Sequence, residues 1–476
     1  MTEKIPNKNR DSNPIEITKN IVRLYPICPE CLGRQFALLG TNMANSERAE
    51  SLLNTIIMQI HNDYYNMNQA VDQVENQDVS KELALLTKIA ENTTSTVVKP
   101  LLRKLSNSYT ESKAEFHCAI CNNVFLQTNE IIDKIIEQTR EFEFSNFLIG
   151  TSINPIFQEK EDEFRVKLNI TTGEAFKKNL NRLVGIELAK KWDLPVEFKE
   201  PEVNIIIDLD LHDFKIDIVS NPLCVQGRYH KYERGIPQTH WPHRACHGKG
   251  CKECNVTGKQ YPTSVEELLT PFIQKYSLGT DSKFHGAGRE DIDARCLGNG
   301  RPFIIEIKEP KKRSLDLQKI ENEIKEQVGK RVDAINLKFV PRSKIKKIKS
   351  RGEKTRKSYR AFIESKNPIT KEEFEEKFNA AKKQVIGKTI YQRTPTRVAH
   401  RRADKTREKE IYKLNGEWID ELHIIVDIEA MGGTYIKEFI SSDNQRTTPN
   451  LSSLLDRSLT CENLDVTSVK KITNGK

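Results

Sequence analysis

The sequence predicts an α+β protein whose larger part is built on a mixed or antiparallel sheet. Strand patterns rich in β-branched residues occur at 302–307 and 421–430, and helical patterns occur at 265–277 and 316–332. Strands and helices follow one another without the strict alternation that a parallel α/β sheet requires. This mixture favours a sheet with helices packed on it.

The length of the chain predicts more than one domain. At 476 residues it is too long for one ordinary hydrophobic core. Changes in composition and in predicted secondary structure suggest where the boundaries fall. We predict three domains, covering residues 1–125, 126–220 and 221–476.

The first domain combines two short cysteine motifs with a helical segment between them. The motifs are "CPECLGR" at 28–34 and "FHCAICNN" at 116–123. Apolar residues recur at helical spacing over 52–60 and predict an amphipathic helix. The polar stretch 61–80, rich in Asn, Gln and Asp, is predicted to be a loop or a frayed helix end.

The second domain has the pattern of a small α+β module. Its helical segments are amphipathic, and its strand segments are rich in β-branched residues. We expect helices at 129–142 and 176–192, and strands at 146–153, at 164–170 and, around a turn at His212 and Asp213, within 203–219.

The distribution of charge points to a polyanionic partner. The net charge is +9, and basic residues concentrate at 342–360 and 391–409, where ten Lys or Arg residues in the first run accompany one Glu. Such runs are often solvated surfaces, but two of them suit contacts with nucleic-acid phosphates. The apolar runs are too short to span a membrane, and the polar N-terminus lacks a signal core. We therefore expect a cytoplasmic protein, and no protein partner is evident.

Two groups of residues have the spacing of zinc ligands. Cysteines of a cytoplasmic protein are seldom paired in disulfides, and two CxxC turns can complete a tetrahedral Zn²⁺ site. The first group is Cys28, Cys31, Cys118 and Cys121. The second is His243, Cys246, Cys251 and Cys254, with the spacing H-x₂-C-x₄-C-x₂-C. For the second group, a glycine-rich loop held only by local turns is the alternative.

The segment 285–303, "HGAGREDIDARCLGNGRPF", crowds acids, arginines and glycines together. Asp291 and Asp293 lie between Arg289 and Arg295, and opposite charges favour the ionised carboxylate. An ionised Asp can act as a nucleophile or a base, although a salt-bridge network that shapes a loop would have the same composition. The third glycine of a nucleotide-binding loop and a P-loop lysine are both lacking, so we expect no organic cofactor.

This segment resembles the catalytic loop of pseudouridine synthases, whose core is G-R-x-D. Among them it is most similar to the THUMP-bearing tRNA pseudouridine synthases of archaea and eukaryotes. The similarity covers most of the chain, including the paired CxxC motifs and the α+β module, which resembles a THUMP domain. Further matching motifs are "GRYHKYERGIPQTHWP" (227–242), "KSYRAFI" (357–363), "QRTPTRVAHRRAD" (392–404) and "GGTYIKEFI" (432–440). A departure is His243, where relatives often have a cysteine.

The resemblance implies a role for each matching residue. Asp291 would be the nucleophile, Tyr359 would stack on the target base, and Tyr435 would be the tyrosine of the third motif. Lys437 would be the charge partner of Asp291, and Leu464 a packing residue near the C-terminus. A flipped base leaves a gap in its stack, which Arg289 could fill unless it contacts a phosphate. We interpret Asp293 as the salt-bridge partner of Arg295.

The resemblance also implies the reaction. The expected substrate is tRNA, and the expected targets are the adjacent uridines 54 and 55 of its TΨC loop. The loop glycines would let the backbone approach the RNA. Two alternatives remain open: a non-catalytic, zinc-bearing RNA-binding protein, and another THUMP-type tRNA-modifying enzyme. The latter would need a cofactor- or ATP-binding loop.

Overall fold

The computed structural model describes residues 13–69, 76–106, 109–111, 115–211, 213–350 and 355–471. The chain divides into two compact units, with the division between Ser220 and Asn221. The proposed boundary between 125 and 126 stays a prediction. Within the described residues, no helix has the length and apolar character needed to cross a membrane.

The helices of the first unit include one segment that the sequence pattern misassigned. They are α1 (Pro14–Leu24), α2 (Pro29–Gly33), α3 (Asn45–Gln69), α4 (Asn76–Asn92), α5 (Val98–Leu105), α6 (Thr128–Thr139), α7 (Pro155–Lys167) and α8 (Phe176–Trp192). The prediction of a strand at 164–170 is wrong, because α7 continues through its first four residues. This helix is started by Asn154, whose side chain accepts a hydrogen bond from the Ile156 amide, followed by Pro155 in the first turn.

The polar stretch after the predicted amphipathic helix is more helical than expected. Helix α3 continues to Gln69, and α4 begins at Asn76. The residues between them, 70–75, lie outside the described part of the chain. The buried face of α3 includes Ile56 and Ile60, as the helical spacing predicts.

The first unit contains a three-stranded mixed sheet. Its strands are β1 (Phe147–Ile153), β2 (Val203–Leu209) and β3 (Phe214–Ser220), in the order β1-β2-β3. Strand β2 pairs parallel to β1 and antiparallel to β3, which confirms the strands predicted within 203–219. The predicted turn residue His212 lies outside the described residues. Helix α8 covers the sheet, and its Gly185 lies over Ile149 of β1.

The second unit carries a ten-stranded mixed sheet with helices packed on it, as the sequence predicts. The strands are β4 (Leu223–Lys231), β5 (Asp281–Gly286), β6 (Arg295–Lys308), β7 (Val332–Phe339), β8 (Thr355–Ser365), β9 (Thr389–Arg393), β10 (Thr406–Trp418), β11 (His423–Met431), β12 (Thr447–Thr448) and β13 (Leu459–Lys471). The helices are α9 (Val265–Ser277), α10 (Leu317–Val328), α11 (Lys344–Ser350), α12 (Lys371–Val385), α13 (Ile436–Ser441) and α14 (Leu451–Leu455).

The strand order places the last described strand in the middle of this sheet. The order is β12-β9-β10-β11-β8-β13-β6-β4-β7, and β5 pairs with the far part of β6. Strand β13 is antiparallel to β8, with Val466 opposite Tyr359, and parallel to β6, with Asp465 opposite Arg295. The two halves of the sheet are therefore joined through β13.

The two basic runs are not continuous helical surfaces. The first forms α11 and then, after undescribed residues, enters β8. The second passes through β9, a short 3₁₀ helix at Thr396–Arg401 and the start of β10. Along β8 the side chains alternate, so Lys357 and Tyr359 are buried while Arg356 and Arg360 point away.

Candidate active site

The acidic loop at 287–294 joins β5 to β6, and buried side chains hold its backbone in place. Lys231 of β4 is buried, and its Nζ donates to the carbonyl oxygens of Ile236 at 2.8 Å, Ile292 at 2.9 Å and Asp291 at 3.3 Å. Gln238 Nε2 donates to the Gly288 carbonyl at 2.9 Å. The loop backbone is therefore fixed by side chains from the neighbouring strand and turn.

A buried ion pair anchors the same loop. Glu290 Oε2 lies 2.6 Å from Arg301 Nε, and both side chains are 1% exposed. The Tyr229 hydroxyl lies 2.8 Å from each Glu290 carboxylate oxygen. Burial alone would raise the pKa of Glu290, but the positive charges of Arg301 and Lys231 outweigh it and lower the pKa. The carboxylate next to Asp291 is thus an ionised structural anchor.

Asp291 forms its ion pair with a residue that the sequence did not single out. Arg397 Nη1 donates to Asp291 Oδ1 at 2.9 Å, while Arg397 Nε donates to Glu438 Oε1 at 2.6 Å. The prediction that Lys437 is the charge partner of Asp291 is therefore wrong in this structure. The planar guanidinium of Arg397 has N–H donors on two sides, so it can bridge two carboxylates in a fixed geometry. A lysine ammonium would fix the position of a carboxylate less rigidly. The Asp291 side chain remains 30% exposed.

Lys437 and Asp293 instead pair with each other. The Lys437 ammonium hydrogen-bonds to the Asp293 carboxylate. Burial raises the pKa of Asp293, but the hydrogen bond and the positive charge of Lys437, with the charge of Arg397, together outweigh burial and lower the pKa. The interpretation of Asp293 as the partner of Arg295 is wrong. Arg295 Nη2 donates to Asp465 of the adjacent strand β13 at 2.6 Å, because the parallel register places those two residues opposite each other.

The predicted site residues surround one pocket of about 410 Å³. Those that line it are Arg289, Asp291, Tyr359, Tyr435, Lys437 and Leu464. Tyr359 is buried, and burial raises the pKa of its hydroxyl to about 12. The Tyr435 hydroxyl accepts from Arg402 Nη1 at 3.0 Å. The Arg289 guanidinium lies 4.7 Å from the centre of the Trp241 ring, a cation–π contact.

Several residues at the site were missed by reasoning from sequence. Arg397 lies within the matching motif at 392–404, and this position was the available signal that it belongs to the site. The motif contains several arginines, and the sequence does not indicate which of them pairs with Asp291. Nothing in the sequence marks Glu290 and Arg301 as a buried pair. For Lys357, the available signal was its position two residues before Tyr359, on the same face of β8. Gly298 has a packing role, because a Cβ there would lie 1.8 Å from the Thr467 carbonyl oxygen.

The four N-terminal cysteines form a buried cluster that could hold a metal ion. The sulfur atoms lie within 4.8 Å of one another, and Cys28 Sγ is 3.6 Å from Cys121 Sγ. Four thiolates around Zn²⁺, at about 2.3 Å each, would be separated by roughly 3.8 Å. Cys28 caps the start of α2, and its sulfur accepts a hydrogen bond from the Cys31 amide. The Cys118 sulfur accepts from the Cys28 amide. The arrangement fits a tetrahedral centre.

The second predicted group also comes together. His243 Nδ1 is 3.6 Å from Cys246 Sγ and 3.5 Å from Cys251 Sγ, and Cys251 Sγ is 3.7 Å from Cys254 Sγ. These separations fit a tetrahedral zinc ion with one imidazole and three thiolates. Burial raises the pKa of Cys254, but hydrogen bonds from the Cys251 and Gly258 amides and from the Cys251 and Cys246 side chains together outweigh it and lower the pKa to about 6. At Cys254 the thiolate is therefore favoured, which is the form that binds a metal ion.

Two family models and near full-length relatives match this chain. The family model "Pus10, C-terminal" matches residues 224–470, and "Pus10 THUMP domain, archaeal" matches 131–208, which confirms the predicted THUMP-like module. The tRNA pseudouridine synthase Pus10 of Methanocaldococcus jannaschii is 38% identical over 95% of this chain and 94% of its own length. The tRNA pseudouridine synthase Pus10 of Methanothrix thermoacetophila is 35% identical over 98% of this chain and 96% of its own length.

A solved structure gives a weaker likeness. A crystal structure of a Cbf5-Nop10-Gar1 complex matches 44% of this chain and 46% of the matched chain, with 14% identity and a TM-score of 0.27, too low a similarity to support a conclusion. The two family models and the near full-length relatives are enough to assign the family without this structure. The chain belongs to the Pus10 family of tRNA pseudouridine synthases.

Proposed function

We propose that this tRNA pseudouridine synthase isomerises the uridines at positions 54 and 55 of the tRNA TΨC loop, with Asp291 as its nucleophile. One observation carries the assignment of Asp291: it is a partly exposed carboxylate, ion-paired to Arg397, at the wall of a pocket that also contains Tyr359 and Lys437. A nearby cation favours the ionised form, which is the form that can attack. The TΨC-loop targets follow from the family resemblance.

The reaction needs a base that has left its stack. The N1–C1′ bond of the uridine breaks, the uracil turns, and a new bond joins C5 to C1′. Tyr359 and Leu464 offer apolar surface against which a flipped uracil can pack, and Tyr435 closes another side. Arg289, held over Trp241 at the pocket, is placed to contact the displaced strand or its phosphate.

Lys437 remains a proposed catalytic residue with a different task from the one first expected. Its ammonium lines the pocket while it pairs with Asp293. Once the N1–C1′ bond breaks, the departing uracil carries negative charge. A fixed ammonium at the pocket wall would stabilise that charge more in the transition state than in the bound substrate, which is the requirement for catalysis.

The tRNA would also contact surfaces outside the pocket. The basic runs at 342–360 and 391–409 each contain exposed residues as well as residues that line the pocket. The lining residues are Tyr359 in the first run and Arg397 and Arg402 in the second. Basic residues on this path can neutralise phosphates and orient the RNA before the base flips. We infer a cytoplasmic location from the tRNA substrate.

The experiment that tests the proposed function is position-specific mapping. The purified chain is incubated with an unmodified tRNA transcript, and pseudouridine is located by its chemical adducts in primer extension. We expect product at positions 54 and 55. Transcripts with uridine replaced by cytidine at one of the two positions separate the two activities. An RNA-binding protein without activity would give no product at any position, and another specificity would place the product elsewhere.

We also propose that each cysteine group holds one structural zinc ion. When bound, the ions would supply fixed cross-links and take no part in the isomerisation. The first would connect α2 to the segment around Cys118 and Cys121, which begins ninety residues after Cys28. The second would close the loop between His243 and Cys254, which follows Trp241. The ligand type favours zinc over harder cations, because each site offers three or four thiolates and thiolates are soft ligands.

Elemental analysis of cysteine variants tests the two metal sites. We expect two zinc ions per wild-type chain, and one after Cys28→Ala with Cys118→Ala, because two remaining thiolates hold zinc poorly. The double variant Cys251→Ala with Cys254→Ala should also lose one. Cys224 and Cys461 lie outside both groups, so their replacement by Ala is the matched control. A zinc content unchanged by either double variant would contradict that site.

A further inference from the structure

The pocket contains a buried amine that the reaction described so far does not use. Lys357 lies on β8 two residues before Tyr359, so both side chains emerge on the inner face of the strand. Its residue is 6% exposed, and it lines the same pocket as Asp291. The loop passes close to it: a Cβ built on Gly288 would lie 3.0 Å from Lys357 Nζ.

The environment of Lys357 differs from that of the other buried lysines nearby. Lys231 Nζ donates to three carbonyl oxygens, and Lys409 Nζ donates to the Gly432 carbonyl at 3.0 Å. Among the residues that the structure describes, the Lys357 amine forms no hydrogen bond or ion pair. Its polar face is therefore available to a molecule in the pocket.

The charges around Lys357 favour a neutral amine. Burial is the main cause that lowers its pKa, to about 7, and the positive charge of Arg301 adds to the effect. The charged and titratable groups that face it are Arg301 and Cys296 of β6, Glu290 of the loop and Lys409 of β10. At neutral pH a substantial fraction of the amine has a free lone pair and can accept a proton.

The reaction requires such an acceptor. When C5 of the uracil bonds to C1′, C5 still carries its hydrogen, and a base must remove this hydrogen to restore the C5–C6 double bond. The other groups of the pocket suit this step less well. The Asp291 carboxylate accepts a hydrogen bond from Arg397 Nη1 at 2.9 Å, the Lys437 ammonium is the ion-pair partner of Asp293, and burial raises the pKa of Tyr359 to about 12.

We propose that the Lys357 amine is the base that takes the proton from C5 in the last step of the isomerisation. The C5–H bond breaks, its electron pair forms the C5–C6 double bond, the electron pair of the C6–N1 double bond moves to N1, and the proton goes to Nζ. N1 takes up a proton from water and the ammonium returns one to water, so the product is an isomer of the substrate. The inference rests on the proposed function, because it needs a uracil in this pocket.

A fluorinated substrate tests this step separately from the earlier ones. In a tRNA whose uridines are replaced by 5-fluorouridine, C5 carries no hydrogen, so rearrangement can proceed without a base. We expect Lys357→Met to slow pseudouridine formation about 10²- to 10⁴-fold on ordinary tRNA. On the fluorinated tRNA, single-turnover conversion to the rearranged nucleoside should stay within about threefold of wild type. Lys366→Met, an exposed lysine just beyond the end of β8, is the matched control.

The pH dependence provides a second measurement. Below pH 7 the amine is protonated, so the wild-type single-turnover rate should fall as the pH drops through about 7. The residual rate of Lys357→Met should lack this step. Wild-type rates in Lys357→Met on ordinary tRNA would overturn the proposal. Equal losses on both substrates in a folded variant would also overturn it, because they would indicate a positioning role.

The failure of this inference is distinguishable from the failure of the proposed function. Asp291→Asn should be inactive on both substrates if Asp291 is the nucleophile. Activity in Asp291→Asn would contradict the proposed function itself. An inactive Asp291→Asn together with a fully active Lys357→Met would contradict only the role of Lys357.

Discussion

Asp291→Asn is expected to lower the rate of pseudouridine formation by at least about 10³-fold, since it removes the nucleophile. The substitution keeps the shape of the side chain and leaves an oxygen that can accept the hydrogen bond from Arg397. The ion pair is partly exposed, with side chains 36% and 30% accessible, so its loss should cost about 1 kcal/mol of stability or less. Single-turnover rates, a tRNA binding titration and a thermal melt measure these three quantities.

Asp293→Asn is the control for the Asp291 variant because it lies two residues away and loses a comparable ion pair. It leaves Lys437 without its partner, so we expect a weaker but measurable activity and a small loss of stability. Full activity in Asp291→Asn would refute the assignment of the nucleophile. Activity lost only in Asp293→Asn would move the nucleophile to Asp293.

Arg301→Met should have the largest effect on stability, a loss of about 3–5 kcal/mol in the free energy of unfolding. The substitution leaves the carboxylate of Glu290 buried without its cation, in a site where both side chains are 1% exposed. Desolvation then disfavours the charged form, and the loop that carries Asp291 loses its anchor. Urea unfolding followed by fluorescence measures the change.

The double variant Glu290→Gln with Arg301→Met separates charge from packing. Removing both charges avoids the lone buried carboxylate, so the double variant should be more stable than Arg301→Met alone. Arg360→Met is the matched control, because its ion pair with Asp427 lies at the surface and should contribute about 1 kcal/mol or less. A stability of Arg301→Met equal to that of Arg360→Met would show that the buried pair is not an anchor.

The secondary-structure elements and the residues that line the pocket were predicted from the sequence better than the ion-pair partners of those residues. The helix at 176–192 and the strands within 203–219 follow from periodicity, which depends only on neighbouring residues. The pocket residues were identified because long motifs match a family in the right order. The strand at 164–170 failed because Asn154 and Pro155 set a helix start that outweighs alternation.

The ion pairs could not be read from the sequence, because each joins residues that are far apart along the chain and meet only in the tertiary structure. Asp291 and Arg397 are 106 residues apart, and Arg295 and Asp465 are 170 apart. A parallel contact between β13 and β6 gives Arg295 its partner and leaves Asp293 to Lys437. Proximity along the chain suggested pairing Asp293 with Arg295, but tertiary structure separates them.

The position of β13 has a consequence for the order in which the enzyme is made. A growing chain that has emerged as far as β12 already contains Asp291 and Tyr359, but it lacks the strand that joins β8 to β6 and carries Leu464. The pocket can form only after β13 has left the ribosome, because β8 and β6 lie on either side of β13 and are synthesised long before it. We therefore expect an unfinished chain to be inactive towards the tRNAs that deliver its own amino acids.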